Sequence, residues 1–328
     1  MIDAQPEAEP TDVWSEAAMQ ARVVRYGDLV PCRNAFIDTR SPGSEAKENF
    51  TIIGPGVSEN PEQHVHINEP HGFNIGAARQ PPHCVNSQHS HQTAEVFVVH
   101  SGTWTFNFGE HGDDCRIAAG PGALASIPTN LFRGFSNVGD DVGFLWVALG
   151  GDDPGHVLWA PYVFDMARDY GLALLDDGRL IDTMKGEAVP ADAQLMPRTS
   201  PAQVAALATP PEAALRRCIV MPDGFADQPA GPLTGPGVDE RLTIAPTAQI
   251  NWPHGFTLSR AVFAAGAGTD QDAATAPEVL FVHEGTLEMV WADGRISLAA
   301  GDTFTVPQGV ARRYASSTGA AMFIVRGA

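Results

Sequence analysis

The chain is short of positive charge. Its 328 residues hold 20 Lys and Arg against 39 Asp and Glu, a formal net charge of −19. A surface that acidic repels phosphate backbones and anionic lipid headgroups, so neither nucleic acid nor a membrane surface is expected as a partner. Cysteine is scarce as well. Cys32, Cys84, Cys115 and Cys218 are widely spaced and form no CxxC pair. With no secretory pattern at the start, this argues against a disulfide framework and points to a reducing cytoplasm. No apolar run approaches the roughly 18 residues of a membrane span, so a soluble protein is expected. The first twenty positions lack any basic residue and carry Asp3, Glu7, Glu9, Asp12 and Glu16. They predict a solvated acidic tail over 1–20.

What the chain does have is glycine and proline, 33 and 26 residues, with only 18% charged and 44% hydrophobic. That hydrophobic fraction builds cores, and the turn formers predict short strands in place of a helical bundle. Sliding the sequence along itself shows why it is so long. At an offset of 183, Ile67-Asn68-Glu69-Pro70-His71-Gly72-Phe73 lies over Ile250-Asn251-Trp252-Pro253-His254-Gly255-Phe256. Glu95, Val99-His100 and Gly102-Thr103 meet Glu278, Val282-His283 and Gly285-Thr286 at the same offset. The register then slips to 179, where Gly122, Pro128 and Arg133 meet Gly301, Pro307 and Arg312. A shorter hairpin loop in the second copy would account for the slip. The chain is a tandem repeat of one domain.

Each copy reads as β structure. Phe73–Ala77, Ala94–Val99, Thr103–Phe108 and Gly143–Val147 are short apolar or alternating runs punctuated by turn residues. Between the copies, Val163, Met166, Ala167 and Tyr170 keep helical spacing. Ser200-Pro201 and Thr209-Pro210 read as capped helix starts. Residues 165–215 are therefore expected to be a partly helical connector packed across both copies.

The chemistry concentrates in the first copy. His89-Ser90-His91 precedes Glu95, with Gly102 seven positions further on. On a strand, residues two apart share a face, so both imidazoles can enter one cavity. Two imidazoles and a carboxylate form a ligand set for a divalent first-row metal with open positions. Gly122, Pro128, Arg133 and Asn137 follow, with Asn130 where a further glycine would complete the second pattern. The two patterns together closely resemble the motifs of the cupin superfamily, and two such domains in tandem resemble a bicupin.

The resemblance implies an all-β chain of two jelly-roll barrels, over 21–164 and 216–328. It implies a metal at His89, His91 and Glu95 in the N-terminal barrel only, iron first, with manganese, nickel or zinc as alternatives. It also implies a homodimer or larger species, and an oxidoreductase of dioxygenase type acting on a small polar or aromatic metabolite, as gentisate-type ring-cleaving bicupins do. Non-redox isomerases, lyases and decarboxylases use a similar arrangement, and a non-catalytic ligand-binding or structural bicupin is the third reading. Arg133 stands where cupins carry a further histidine, facing the motif glutamate. Arginine is not a metal ligand. It could pair with Glu95 and compete with the metal, or act as the catalytic residue that binds a substrate carboxylate.

The second copy is an internal control. It keeps Glu278 and Arg312 but has Asp272 and Ala274 in place of the two histidines. A metal-free buried ion pair is expected there. His71 and His100 recur as His254 and His283, which predicts structural roles. His100 lies an odd number of positions from Glu95, on the opposite face. His64, His66 and His83 occur in the first copy only and remain further candidate ligands, while Cys84 is expected to be an inert thiol.

Overall fold

A computed structural model describes residues 14–327. Most of the expected acidic tail lies outside them. From Trp14 onward the expectation is corrected, because the segment packs against the second barrel. Helix α1 (Glu16–Gln20) is capped by the Ser15 hydroxyl, which accepts from the Ala18 N–H at 3.2 Å. Its one inward side chain, Met19, is fully buried in the second barrel's core, with Trp14 packed beside it. Burying these two outweighs the solvation preference of a polar stretch, and Glu16 complements the helix dipole in the first turn. Strand β1 (Val23–Val24) then pairs with the second barrel, not the first.

The first barrel runs through β2 (Glu48–Ile53), β3 (Val65–Ile67), β4 (Phe73–Gln80), β5 (Val85–Ser90) and β6 (Glu95–Ser101). It continues with β7 (Trp104–Phe108), β8 (Cys115–Ala119), β9 (Leu124–Ile127), β10 (Arg133–Asn137), β11 (Gly143–Gly150) and β12 (Leu158–Trp159). Two sheets, β9-β6-β11-β4-β2-β3 and β12-β5-β10-β7-β8, close on a shared apolar interior. The uninterrupted run in β6 is explained by burial on both faces. Phe97 and Val99 point into the barrel, whereas Val96 and Val98 join a core between the barrels. Glu95 has the parity of Phe97 and so points inward.

The connector holds α2 (Pro161–Asp169), the hairpin of β13 (Leu172–Leu174) and β14 (Leu180–Asp182), α3 (Pro201–Ala206) and α4 (Glu212–Arg216). The α3 start carries the expected cap, with Ser200 and Gln203 forming a reciprocal capping box. The helix expected at Thr209 begins later, after Pro211, without a side-chain cap. The connector also packs differently from expectation. Its apolar cluster gathers Val163, Ala167, Leu172 and Leu174 onto Ile37, Phe132 and Trp159 of the first barrel alone.

After the connector, β15 (Ile219–Val220) pairs with β9 of the first barrel. The second barrel follows: β16 (Val238–Ile244), β17 (Phe256–Phe263), β18 (Ala267–Gly268), β19 (Asp272–Ala273) and β20 (Glu278–Trp291). It closes with β21 (Gly294–Ala299), β22 (Thr303–Val306), β23 (Ala311–Ser316) and β24 (Ala320–Gly327). The β20–β21 hairpin turns through Ala292-Asp293, where the first barrel uses the six residues 109–114. That difference is the four-residue slip in the repeat.

The short strands are exchanged. Val23 and Val24 sit opposite Phe304 and Thr303, while Ile219 and Val220 sit opposite Ala125 and Leu124. These are equivalent positions in the two copies, so each barrel completes the other's sheet and the expected boundaries at 21 and 216 cut across real contacts. Between the barrels, Trp146 stacks on Phe281 at 5.0 Å and donates to Thr303 Oγ1 at 3.0 Å. No helix among the described residues is long and apolar enough to cross a membrane.

Candidate metal centre

Three elements place the ligand set. β5 carries His89 inward, the turn after it presents His91, and β6 opens with Glu95. One ligand atom from each lies within 4.8 Å of the others, and all three residues are buried. The His89 and His91 rings are perpendicular, with centroids 5.2 Å apart. His89 Nδ1 donates to the Ser87 carbonyl at 2.7 Å, which leaves the Nε2 lone pair free. Burial and the nearby Arg133 cation hold both imidazoles well below their ordinary pKa, so both are neutral and able to ligate at pH 7. His91 Nδ1 is buried without a partner.

Arg133 resolves its two roles by geometry. Its Nη2 pairs with Glu95 Oε2, and Nη1 donates to the His89 carbonyl at 2.9 Å. The other carboxylate oxygen, Oε1, faces His91 Nε2 at 3.8 Å. The ion pair and a ligand role for Glu95 therefore use different oxygens and do not compete. Burial raises the Glu95 pKa, and Arg133 opposes that rise. Arg133 does not line the cavity. Both Nη groups are turned onto the protein's own oxygens, which counts against the expected role in binding a substrate carboxylate, while Nε is buried without a partner. Asn130, in place of the second-motif glycine, adopts φ 57°, the left-handed conformation that asparagine tolerates better than most side chains.

The cavity over these ligands has a volume of about 70 Å³. Phe97, Phe135, Val147, Leu149 and Trp159 form its apolar wall, while Asn49, Thr51 and Gln63 supply polar groups. Among the described residues, no lysine or arginine lines it. Gly56, Val57, Ser58, Gln63 and Val157 also line an outer hollow of about 260 Å³ beneath the connector hairpin at Asp177–Arg179. Trp159 lies 5.2 Å from the His89 ring and donates to Glu59 Oε1 at 2.6 Å. Burial pushes Glu59 up to about 8.

The other candidate ligands stay outside. His83 is an exposed turn residue at φ 63°. His64 is exposed, and His66 clamps an edge by accepting from Val30 N–H at 3.2 Å. His71 and His254 anchor the carbonyls of Glu69 and Trp252 at 2.7 and 2.6 Å. His100 faces the inter-barrel core, 5.5 Å from His283, and burial lowers both to about 4. Cys84 is buried, and burial raises its thiol to about 11.

In the second barrel Glu278 accepts from Arg312 Nη2 at 2.7 Å, as the repeat predicted. Two further donors were not expected: Tyr314 O–H at 2.9 Å and Arg326 Nε at 2.7 Å. Arg326 also bridges to Glu240 at 2.7 Å. In the second barrel this charge network occupies the positions that hold the ligand set in the first.

No protein-family model and no curated protein matches the chain. Solved structures do match it. Oxalate decarboxylase from Bacillus subtilis at pH 4.6 aligns over 97% of this chain and 77% of its own, at 12% identity and TM-score 0.57. A structure of the same enzyme described for its Mn(II) centers aligns over 97% and 78%, at 11% identity and TM-score 0.56. Vicilin from Corylus avellana (hazelnut) aligns over 94% and 85%, at 13% identity and TM-score 0.54. Likeness at such identities concerns the fold, which is that of a tandem two-barrel cupin.

Proposed function

We propose that this tandem cupin is a metal-dependent enzyme working through its first barrel, with a divalent ion held by His89, His91 and Glu95. The observation that carries the reading is the convergence of three buried donors, two of them neutral imidazoles, within 4.8 Å. The donor types fit such an ion, since two imidazoles and one carboxylate suit iron first, and manganese, nickel or zinc as well. Bound there, the metal would supply Lewis acidity and open coordination positions for substrate and, in the dioxygenase case, oxygen.

The chain's own groups do the rest. Arg133 pairs with Glu95 Oε2, opposing the rise in its pKa that burial causes, and leaves Oε1 facing His91 Nε2. The apolar wall excludes water and accepts the body of a small organic molecule, with the unpartnered Asn49 amide nitrogen available to orient it. The absence of a lining cation favours a substrate whose one charged or electron-rich end goes to the metal. Two imidazoles and one carboxylate with open positions support the dioxygenase-type reading, whereas the missing fourth ligand speaks for the non-catalytic alternative. The oxalate decarboxylase likeness supports the second, a non-redox lyase or decarboxylase.

Anaerobic reconstitution followed by elemental analysis tests the proposal. One ion per chain is expected, and none in His89→Ala/His91→Ala with its thermal unfolding intact. A chain that takes up no metal would overturn the enzyme reading and leave a small-ligand-binding or structural bicupin.

A further inference from the structure

Outside the ligand set, the first barrel contains a costly pair that the proposed chemistry does not use. Lys47 and Asp38 form an ion pair with both side chains at 0% exposure. Burying two charges is hard to justify on stability alone, since well-packed apolar replacements are often as stable or more so. The pair's remaining bonds all run toward one place. Asp38 Oδ2 accepts the Ser87 N–H at 3.0 Å, and Lys47 Nζ donates to Asn86 Oδ1 at 3.2 Å. Ser87 and Asn86 both approach His89 Nδ1: the Ser87 carbonyl takes Nδ1–H at 2.7 Å, and Asn86 Nδ2 lies 3.5 Å from the same nitrogen.

Local topology explains why such a device is present. β12 pairs with β5 only at Ser90 and His89. Upstream, β5 is held by the 38–47 segment: Val85 N–H donates to Gly43 O at 2.8 Å, Ser44 Oγ donates to Val85 O at 2.6 Å, and Ser87 N–H goes to Asp38. The peptide that orients His89 is thus clamped by a side-chain carboxylate, itself fixed by a buried ammonium.

We propose that Asp38 and Lys47 are positioning residues for His89. By immobilising the Ser87 peptide, whose carbonyl accepts from Nδ1, they hold the imidazole in the Nδ1–H tautomer and aim Nε2 into the cavity. The inference rests on the metal reading of His89 for its purpose but not for its geometry. Partners of this kind, bonded behind a ligating histidine, fix ring orientation, and their loss typically costs 10–100-fold in metal affinity.

The test uses the full chain in two states. In metal-free protein, long-range 15N–1H correlation of the His89 ring is expected to show protonated Nδ1 and unprotonated Nε2. A protonated Nε2 in the parent protein overturns the proposal without any variant. Asp38→Leu/Lys47→Met removes both charges together and leaves neither orphaned. It leaves the buried Ser87 N–H without its acceptor, so the unfolding midpoint should fall modestly, while His89 gives mixed tautomers and a roughly 10–100-fold weaker cobalt(II) affinity. Asp38→Asn/Lys47→Met restores an acceptor for Ser87 and should recover part of both signals. A merely structural pair would lower the unfolding midpoint and leave tautomer and affinity unchanged, which refutes the positioning role. If the parent binds no cobalt(II), the metal reading fails, and the tautomer comparison still decides this one.

Discussion

Replacing Arg133 by leucine asks what Glu95 loses when its one cation is removed. The pair is buried, with side-chain exposures of 2% and 8%, and no other cation pairs with Glu95 among the described residues except the neutralised His91. A bare buried carboxylate escapes by keeping its proton. At pH 7 that costs roughly 3–4 kcal/mol for a glutamate of ordinary pKa. The figure caps the charge part of the loss, to which the lost bond to the His89 carbonyl adds, and sits within the roughly 3–5 kcal/mol seen when a buried pair is broken. The cap also gives the loss a sign with pH. In the variant, folded Glu95 titrates above its unfolded value, so the folded state binds the extra proton and the deficit narrows as pH falls. It should shrink by about 1.4 kcal/mol per pH unit below pH 7 and level off at the parent's own Glu95 pKa, which burial already holds above the ordinary value. Urea unfolding with chelator present, at pH 7, 6 and 5, measures this. Glu95→Gln/Arg133→Leu should recover most of the loss, because no charge is orphaned. The second barrel supplies the comparison. Glu278 without Arg312 keeps Arg326 and Tyr314, so Arg312→Leu should cost less, about 1–3 kcal/mol. A deficit that ignores pH, or a larger loss for Arg312→Leu, would refute the reasoning.

Three further outcomes are expected. His100 and His283 titrate near 4 in the folded chain, below the ordinary 6.5. The unfolded chain therefore binds protons first on acidification, and the stability they contribute above pH 6.5 is lost as pH falls toward 4. His100→Phe/His283→Phe should flatten the unfolding-midpoint curve across that window, and an unchanged curve counts against the argument. Asn130→Ala should lose about 1 kcal/mol in chemical denaturation, whereas Asn130→Gly should match the parent, since only the former strains φ 57°. The larger sheet of the first barrel ends on β3, which pairs only with β2, and such an edge invites covering by a second copy. Sedimentation at micromolar concentration should report a homodimer or larger species; a monomer mass contradicts this.

What was legible beforehand was what repetition and periodicity encode. The tandem repeat, the β character and the inward set of His89, His91 and Glu95 follow from motif spacing and strand parity. The hairpin-length difference follows from a register slip. Other features leave no such mark. Arg326 ends the apolar run Ala320–Val325, where an arginine reads as the solvent-facing end of a strand, yet it turns back onto Glu278 and Glu240. Asp38 and Lys47 lie in a turn-rich polar stretch that reads as a solvated loop. Two-residue strands such as β1 and β15 are too short to carry any period, so their partners could be known only from the folded chain.

The reciprocal exchange of β1 and β15 makes the molecule a single cooperative unit despite its duplicated plan. A chain opened between Thr209 and Pro211 would give two fragments, each holding the strand that completes the other's sheet. Neither fragment could close its own edge, but the two together would present every partner that the intact chain does. Duplication followed by such a swap binds the copies by topology. The second barrel can then lose its ligands without becoming dispensable, because the first cannot be finished without it.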